Sequence, residues 1–147
     1  MYGVPTDTEG LLPWSHVCQR MTESAHCWLA TVDANGVPHT LPIDGMWLDD
    51  RLYFGGSPES KWCRNLAVEP QVYLNLENAE EATILHGKVD ELRCDQELAE
   101  RLAAASNEKY DFGQTAKDYP VNAIFAFTPQ NAFAWNVLYK DATRWRL

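Results

Sequence analysis

The segment YFGGSPESKWCRNL, residues 53–66, contains the residue types of an anion-binding site. Two adjacent glycines allow the backbone to approach a ligand without a Cβ in the way. A serine and a proline then start a helix, whose first N–H groups carry partial positive charge and attract anions. A further serine, a lysine and an arginine follow within about one helical turn. The candidate ligands at this corner are Gly55, Gly56, Ser57, Ser60, Lys61 and Arg64.

An ordinary capped helix explains the same residues. Lys61 and Arg64 would then be solvated, and Glu59 would interact with the positive end of the helix dipole. On spacing alone this explanation is slightly favoured, and the anion site stays open.

The strand-like segment PHTLPIDG contains the second group of candidates. Pro38 and Pro42 cannot donate to a strand ladder, which predicts an edge strand or one that lines a cavity. Asp44, next to Gly45, is either a turn-forming carboxylate or an acid that faces a cofactor. His39 is more often a satisfied or exposed histidine than a catalytic one. Asp44 and His39 are therefore weak catalytic candidates, and the catalytic residues stay unknown.

The sequence lacks the motifs of hydrolases, of Walker-type nucleotide-binding proteins and of metal sites. There is no Gly-x-Ser-x-Gly, no Walker-type loop and no paired-carboxylate motif, so a hydrolase lacks a nucleophile. The four histidines have no metal-ligand spacing, and we expect no metal. The four cysteines form no Cys-x-x-Cys pair and are predicted to be buried, reduced thiols.

The overall composition predicts one globular domain over residues 1–147. A formal net charge of −9 argues against binding to nucleic acid or to an anionic membrane surface. The sequence contains no apolar run of the ~20 residues that span a bilayer, and its first residues lack the features of a secretory signal. We therefore predict a cytoplasmic protein.

Periodicity and capping residues predict three helices. Apolar spacing indicates one over about 13–24. A second is predicted over about 58–67, with Ser57 as N-cap and Pro58 as first residue. Asp95 is predicted to cap a third.

Alternating apolar residues predict about seven mostly antiparallel strands. Asn35-Gly36 is a strong hairpin signal and Asp49-Asp50 a weaker one. Gly87 indicates a bulge or a close approach of the backbone. Two late strands, NAIFAF and AFAWNVLY, are predicted on either side of a break at Thr128-Pro129. Short strands with closely spaced turns are typical of a closed barrel.

The C-terminal segment FAWNVLYKDATRWRL combines aromatic residues with arginines. Trp135 most often indicates core packing. An arginine such as Arg144, near a wall of aromatic rings, is also suited to an anion or a flat ring.

Together, WLATVDANGVPHTLPIDG, LYFGGSPESKWCRNLAVEPQVYLNLE, ILHGKVDEL and FAWNVLYKDATRWRL resemble the pyridoxamine 5′-phosphate oxidase-like family. The resemblance implies a mainly β fold, a six-stranded antiparallel split barrel of Greek-key type with about three peripheral helices. It also implies a homodimer with two sites at the subunit interface, and FMN or the deazaflavin F420 as cofactor.

Matched by position, the resemblance also implies roles for individual residues. The cofactor ring would lie against the backbone of Pro42, Ile43, Asp44 and Gly45. The phosphate would meet Gly56, Ser60 and Lys61, and Trp135 and Arg144 would close the site.

The chain departs from the oxidase at several positions. Trp62 stands where the family often has a second basic residue. Leu41 and Met46 stand where the oxidase has two further basic residues. The terminal His-Arg motif that the oxidase uses for its substrate is absent. These differences argue against pyridoxamine phosphate as the substrate.

Three hypotheses follow. The first is an FMN- or F420-dependent oxidoreductase that transfers hydride to or from a small molecule. The second is a non-catalytic binding protein for haem, flavin or another flat ligand. The third is a structural dimer with an empty pocket, in which Trp62 fills the space of the missing charge.

Overall fold

The computed structural model describes residues 11–119 and 124–147. These ranges contain eight strands in one sheet, four α-helices and one 3-10 helix. The strands are β1 (His26–Val32), β2 (Pro38–Asp44), β3 (Met46–Leu48), β4 (Arg51–Gly55), β5 (Gln71–Asn75), β6 (Thr83–Leu92), β7 (Ile124–Ala134) and β8 (Thr143–Arg146). The helices are α1 (Trp14–Glu23), α2 (Lys61–Val68), α3 (Gln96–Tyr110) and α4 (Leu138–Asp141), and the 3-10 helix is Ala116–Asp118.

The sheet curls into a split barrel. Its strand order is β2-β1-β5-β6-β7-β4-β3, with β8 on β7, and every pairing is antiparallel. Gly45 alone joins β2 to β3, which lie at opposite ends of this order, so the two ends must approach each other. No ladder joins the ends within the described residues, so the barrel stays split there. Its interior is filled by apolar side chains, among them Leu29, Phe54, Leu74, Leu85 and Phe127.

The predicted mainly β split-barrel fold is confirmed, and the described residues form eight strands instead of six and four α-helices instead of three. The strand-like segment PHTLPIDG forms β2 as far as Asp44, and the chain then bends at Gly45 and begins β3 at Met46. A Cβ at Gly45 would lie 2.8 Å from Leu52 Cδ1, so a side chain at this bend would displace the buried Leu52. The C-terminal segment adds β8 to the sheet.

The two hairpin signals have unexpected geometries. The weaker one, Asp49-Asp50, has positive φ at both residues, 51° and 59°, as a two-residue turn between β3 and β4 requires. At the stronger one only Gly36 has positive φ, 78°. Its N–H donates to Asp33 O at 2.9 Å, and the Asp33 carboxylate accepts the N–H of Asn35. The β1–β2 hairpin therefore forms through a longer turn stabilised by Asp33.

Gly87 marks the bulge that the sequence predicted, and the extra residue, Gln130, lies on the facing strand β7. The register between β6 and β7 shifts between His86 and Gly87, and a Cβ at Gly87 would lie 2.1 Å from Thr128 O. The predicted break at Thr128-Pro129 is wrong, because β7 runs straight through it. Pro129 is next to the bulged residue Gln130 on β7, where a missing N–H does not interrupt a regular ladder.

Helix α2 begins three residues later than predicted. Ser60, not Ser57, is its N-cap, since Ser60 Oγ accepts the N–H of Cys63. The Ser57 carbonyl accepts the N–H of Ser60 at 2.9 Å. This bond closes a separate turn that contains Pro58 and precedes the helix. The prediction that Asp95 caps α3 is confirmed, as its carboxylate accepts the N–H of Leu98.

The predicted strand AFAWNVLY ends early. β7 stops at Ala134 and the chain turns into α4. The Asp141 carboxylate accepts the N–H groups of Asn136 and Val137 at 2.9 and 2.8 Å, which closes this turn.

The cysteines are free thiols, as predicted, but they are unevenly buried. Cys27 and Cys63 are buried, whereas Cys18 and Cys94 are half-buried. Burial raises the pKa of the Cys27 thiol to about 12. Among the described residues, no helix combines the length and apolarity needed to cross a bilayer.

Candidate functional site

A cleft of about 700 Å³ opens at the split between β2 and β4. Leu41 to Asp44 line it from β2, and Tyr53 to Gly55 from β4. Helix α3 and the 3-10 helix form the opposite side. Because β2 is an edge strand, the prediction that its prolines mark an edge or a cavity is confirmed, and Pro42 lines the cleft.

Two predicted motifs that are separate in sequence meet in this cleft. The barrel brings the end of β2 next to the corner between β4 and α2. The predicted cofactor residues that line the cleft are Pro42, Ile43, Asp44, Gly55, Gly56 and Ser57.

The two glycines of the corner serve different purposes. A Cβ built on Gly55 has no atom within 4 Å, so a side chain there would project into the cleft. A Cβ on Gly56 would lie 2.0 Å from Trp62 Cζ2. Packing therefore explains Gly56, whereas the missing side chain at Gly55 leaves space that a ligand can use.

Trp62 belongs to an aromatic cluster beneath the corner. Its ring centroid is 5.6 Å from that of Phe54 and 5.3 Å from that of Phe125, in tilted and edge-on arrangements. It is 7% exposed and also lines the cleft. The cleft stays open beside it, so Trp62 packs the core without filling the pocket.

The polar residues of the corner bond within the chain. Lys61 Nζ lies 4.0 Å from Asp33 Oδ2, and the Arg64 guanidinium donates to the Glu59 carbonyl. The Ser60 hydroxyl donates to the Ser57 carbonyl at 2.7 Å. The structure places Ser60, Lys61 and Arg64 beside the cleft, outside its lining.

Gly45 contacts helix α3. Its N–H donates to the Tyr110 hydroxyl at 3.0 Å, and its carbonyl accepts from Lys109 Nζ at 2.9 Å. The Tyr110 hydroxyl also lies 2.5 Å from the carbonyl oxygen of Ala25. Burial lowers the pKa of Lys109, although Cys27 and Asp44 oppose this shift. Both polar groups of Gly45 are therefore used to fasten α3 to the β2–β3 corner, a role that the sequence did not indicate.

Tyr110→Phe is expected to lower the free energy of unfolding by about 1–2 kcal/mol, because the buried Gly45 N–H loses its acceptor. Urea denaturation measures the change. Tyr139→Phe is the matched control, since Tyr139 is 65% exposed. Equal stability of the two variants would contradict this role of Tyr110.

Of the two catalytic candidates, Asp44 lines the cleft and His39 does not. Asp44 Oδ1 is 2.7 Å from Nδ1 of His26, and both side chains are at least half exposed. Asp44 therefore brings a carboxylate to the cleft, where it is paired with His26.

Trp135 and Arg144 do not reach the cleft of their own chain. Trp135 packs edge-on against Phe133, and Arg144 lies over the same ring at 5.8 Å. Arg144 lines a separate cavity of about 400 Å³ on the outer face of the sheet, together with Tyr73 and Arg146.

The opposite side of the cleft, which we call the helical wall, was missed by the sequence analysis. Asp118 Oδ2 accepts the N–H and the hydroxyl of Thr115, at 2.7 and 3.0 Å. The pattern Thr-x-x-Asp is a capping-box signal that could have identified this turn. The helical wall consists of Ser106, Gln114, Asp118 and Tyr119.

No group of three His, Cys, Asp or Glu residues in the described parts of the chain is arranged to hold a metal ion. The site is therefore a cleft lined by backbone, glycine and aromatic residues, with carboxylates on both sides.

The fold matches several solved structures. A conserved hypothetical protein, Rv2991 from Mycobacterium tuberculosis, is 15% identical, with 92% of this chain and 88% of that one covered and a TM-score of 0.72. HutZ, a haem storage protein from Vibrio cholerae, is 22% identical, with 82% and 92% covered and a TM-score of 0.64. An F420 reductase is 21% identical, with 78% and 94% covered and a TM-score of 0.59. At these identities the likeness shows a shared fold.

A family model extends this likeness to the sequence. No curated protein matches the chain. The family model described as pyridoxamine 5′-phosphate oxidase matches residues 16–136, a range that includes the barrel strands β1 to β7 and both motifs of the cleft. The chain therefore belongs to the pyridoxamine 5′-phosphate oxidase family.

Proposed function

We propose that this protein is a homodimeric oxidoreductase that binds FMN or F420 in the cleft between β2 and β4. The observation that carries the proposal is the meeting of two separate predicted motifs in one cleft of about 700 Å³. This volume is within the roughly 300–1,000 Å³ typical of ligand sites. Membership of the family and the F420 reductase among its structural neighbours support the same assignment.

The chain's own residues would bind and orient the cofactor. The backbone of the edge strand at Pro42 to Asp44 would lie against the ring. The open space at Gly55 would admit the ligand, and its phosphate would point towards Ser57 and the start of α2. When bound, the cofactor supplies hydride transfer, at N5 of FMN or C5 of F420. Asp44 is the candidate proton acceptor in the cleft.

A homodimer would explain why Trp135 and Arg144 lie away from the cleft of their own chain. Since neither lines the cleft of its own chain, they would close the cleft of the partner subunit. The same part of the molecule exposes Trp28 and Tyr73, 39% and 54% accessible, which are suited to burial in an interface. Analytical ultracentrifugation should give twice the mass of one chain. The single domain and the cytoplasmic location stay predictions.

Separate titrations with FMN and F420 test the proposal. We expect one of them to bind with a Kd below ~100 μM, a free energy of more than ~5 kcal/mol. The bound cofactor should then be reduced or reoxidised by small molecules. Failure of both cofactors to bind would rule out the oxidoreductase.

Lys61→Ala is expected to weaken binding of the cofactor by about 1.5–3 kcal/mol, or roughly 10- to 150-fold, as for a charged hydrogen bond. The fold should be unaffected, because the Lys61 side chain is 48% exposed. Lys88→Ala is the control, since Lys88 pairs with Asp90 on β6 and does not line the cleft. An unchanged Kd in Lys61→Ala would place the phosphate elsewhere.

The alternative is a non-catalytic binding protein for haem, flavin or another flat ligand. The haem storage protein among the structural neighbours is the observation in its favour. No histidine belongs to the described lining of the cleft, so an imidazole ligand for haem iron is not among these residues. Tight binding without electron transfer to any acceptor would favour this alternative.

A further inference from the structure

A buried polar pair joins helix α2 to the barrel. Asn65 lies on α2 and Thr31 on β1, and they are 5% and 0% exposed. Asn65 Nδ2 donates to Thr31 Oγ1 at 3.0 Å. The Thr31 hydroxyl donates in turn to the His39 carbonyl of β2 at 3.3 Å. One hydroxyl therefore connects the helix to both strands of the β1–β2 hairpin.

These elements carry the two halves of the proposed site. Helix α2 begins at the corner where the phosphate is proposed to lie, with Ser60 as its N-cap. Strand β2 continues from His39 to the segment that lines the cleft and would contact the ring. Neither Thr31 nor Asn65 belongs to the described lining of the cleft. Any effect of the pair on a cofactor must therefore pass through the positions of α2 and β2.

Apolar contacts hold α2 on the barrel but do not fix its direction. Trp62, Cys63 and Leu66 pack into the main apolar cluster, and such contacts are non-directional. A hydrogen bond has a preferred distance and angle. Among the described residues, the bond from Asn65 to Thr31 is the one side-chain hydrogen bond between α2 and a strand. This bond therefore defines where the helix lies along β1.

A charged contact extends the pair to the phosphate corner. Lys61 precedes Asn65 by four residues, so the two lie on the same side of α2. Lys61 Nζ is 4.0 Å from Oδ2 of Asp33, which follows Thr31 by two residues. The Asp33 carboxylate is itself held by two backbone N–H groups of the β1–β2 turn, at 2.9 and 3.0 Å. A fixed carboxylate therefore stands beside the lysine of the corner.

We propose that Thr31 and Asn65 are positioning residues of the cofactor site. Their bond sets the register of α2 on β1, and thereby the distance from the ring strand β2 to the phosphate corner. This inference rests on the proposed function, because it assigns the geometry of the cofactor cleft. It predicts that the pair supports the phosphate preference, by which we mean the Kd of the phosphate-free ring divided by that of the cofactor.

The decisive variant replaces both partners by apolar residues of similar shape, Thr31→Val with Asn65→Leu. Thr31→Val alone leaves the Asn65 amide buried without its acceptor, which should lower the free energy of unfolding. The double variant removes both polar groups, so its stability should return close to that of the unaltered protein. Its phosphate preference should nevertheless be about three- to tenfold lower, the worth of one hydrogen bond.

Two comparisons separate positioning from packing. Thr83→Val is the matched control, since Thr83 is 1% exposed, its hydroxyl has no partner among the described residues and it does not line the cleft. It should keep the phosphate preference. Thr31→Ser keeps the hydroxyl and should keep the preference too. If the double variant does not fold, Thr31→Val against Thr31→Ser gives the same comparison.

The preference is measured by titration with FMN and riboflavin, and with F420 and the deazaflavin that lacks its phosphate tail. General destabilisation weakens both members of a pair alike, whereas a displaced corner weakens the phosphate-bearing one. Amide hydrogen exchange reports on the free protein. In the double variant the amides of α2 should exchange about three- to tenfold faster, while those of β6 and β7 should not change.

Three results would overturn the inference: an unchanged phosphate preference in the double variant, an equal loss in Thr83→Val, or unchanged exchange in α2. If neither FMN nor F420 binds, the proposed function fails, while the exchange measurement still decides whether the pair fixes α2. If a cofactor binds and its phosphate preference does not change, the inference alone fails.

Discussion

Gly55→Val should reduce FMN or F420 binding by about 100-fold or more, a loss of roughly 3 kcal/mol, without lowering the free energy of unfolding. A side chain at Gly55 meets no protein atom near its Cβ and would project into the cleft. The fold should tolerate it, because valine is favoured in strands and glycine inside a strand is unfavourable. Titration of the cofactor and urea denaturation measure the two effects.

Gly56→Ala is the contrasting variant at the next residue. Its Cβ would lie 2.0 Å from the Trp62 ring, so one of the two must move. We expect a loss of about 1–3 kcal/mol in the free energy of unfolding, as for an overpacked core. If Gly55→Val binds the cofactor as tightly as the unaltered protein, the cleft is not the cofactor site.

Trp62→Ala should lower the free energy of unfolding by about 3–5 kcal/mol, because it removes a buried aromatic side chain and leaves a cavity. Trp62 packs against Phe54 and Phe125 and is 7% exposed. Trp62→Phe is the control and should cost much less, since it keeps a ring in the cluster. A small loss in Trp62→Ala would show that the aromatic cluster does not hold α2 in place.

A double-mutant cycle connects the two results. The indole atoms that conflict with a Cβ at Gly56 are Cζ2 and Cη2, which phenylalanine lacks. Gly56→Ala should therefore destabilise Trp62→Phe less than it destabilises the unaltered protein, with a coupling of about 1–2 kcal/mol. Additive effects would show that the steric conflict is relieved elsewhere.

Local signals in the sequence were reliable where one residue decides the backbone. Gly87 predicted a bulge and Asp95 predicted a cap, and both are confirmed. The break at Thr128-Pro129 was wrong because a proline at a bulge does not end a strand, and Pro129 is next to the bulged residue Gln130. The predicted start of α2 was wrong because the segment contains two serines that could cap a helix. The structure uses Ser60 and not Ser57.

The candidate site was predictable in part. The glycine corner and the PHTLPIDG strand were identified as separate motifs, and the resemblance to a family joined them. The helical wall was missed because Asp118 and Tyr119 lie more than sixty residues beyond Gly56, and periodicity does not report contacts over that distance. The same holds for Tyr110, which contacts Gly45 across 65 residues.

The sequence by itself determined that the chain is mainly β and identified the two motifs of the cleft, because alternating apolar residues, glycines and prolines act on the local backbone. The split barrel followed from the resemblance to a family. It left the GGSPESKW corner divided between a capped helix and an anion site. The tertiary structure decided that Gly56 accommodates Trp62 while Gly55 opens onto a cleft, and that the lysine and arginine of the corner lie outside its lining. These properties depend on which surfaces the curled sheet and α3 bring together, and no local pattern encodes that.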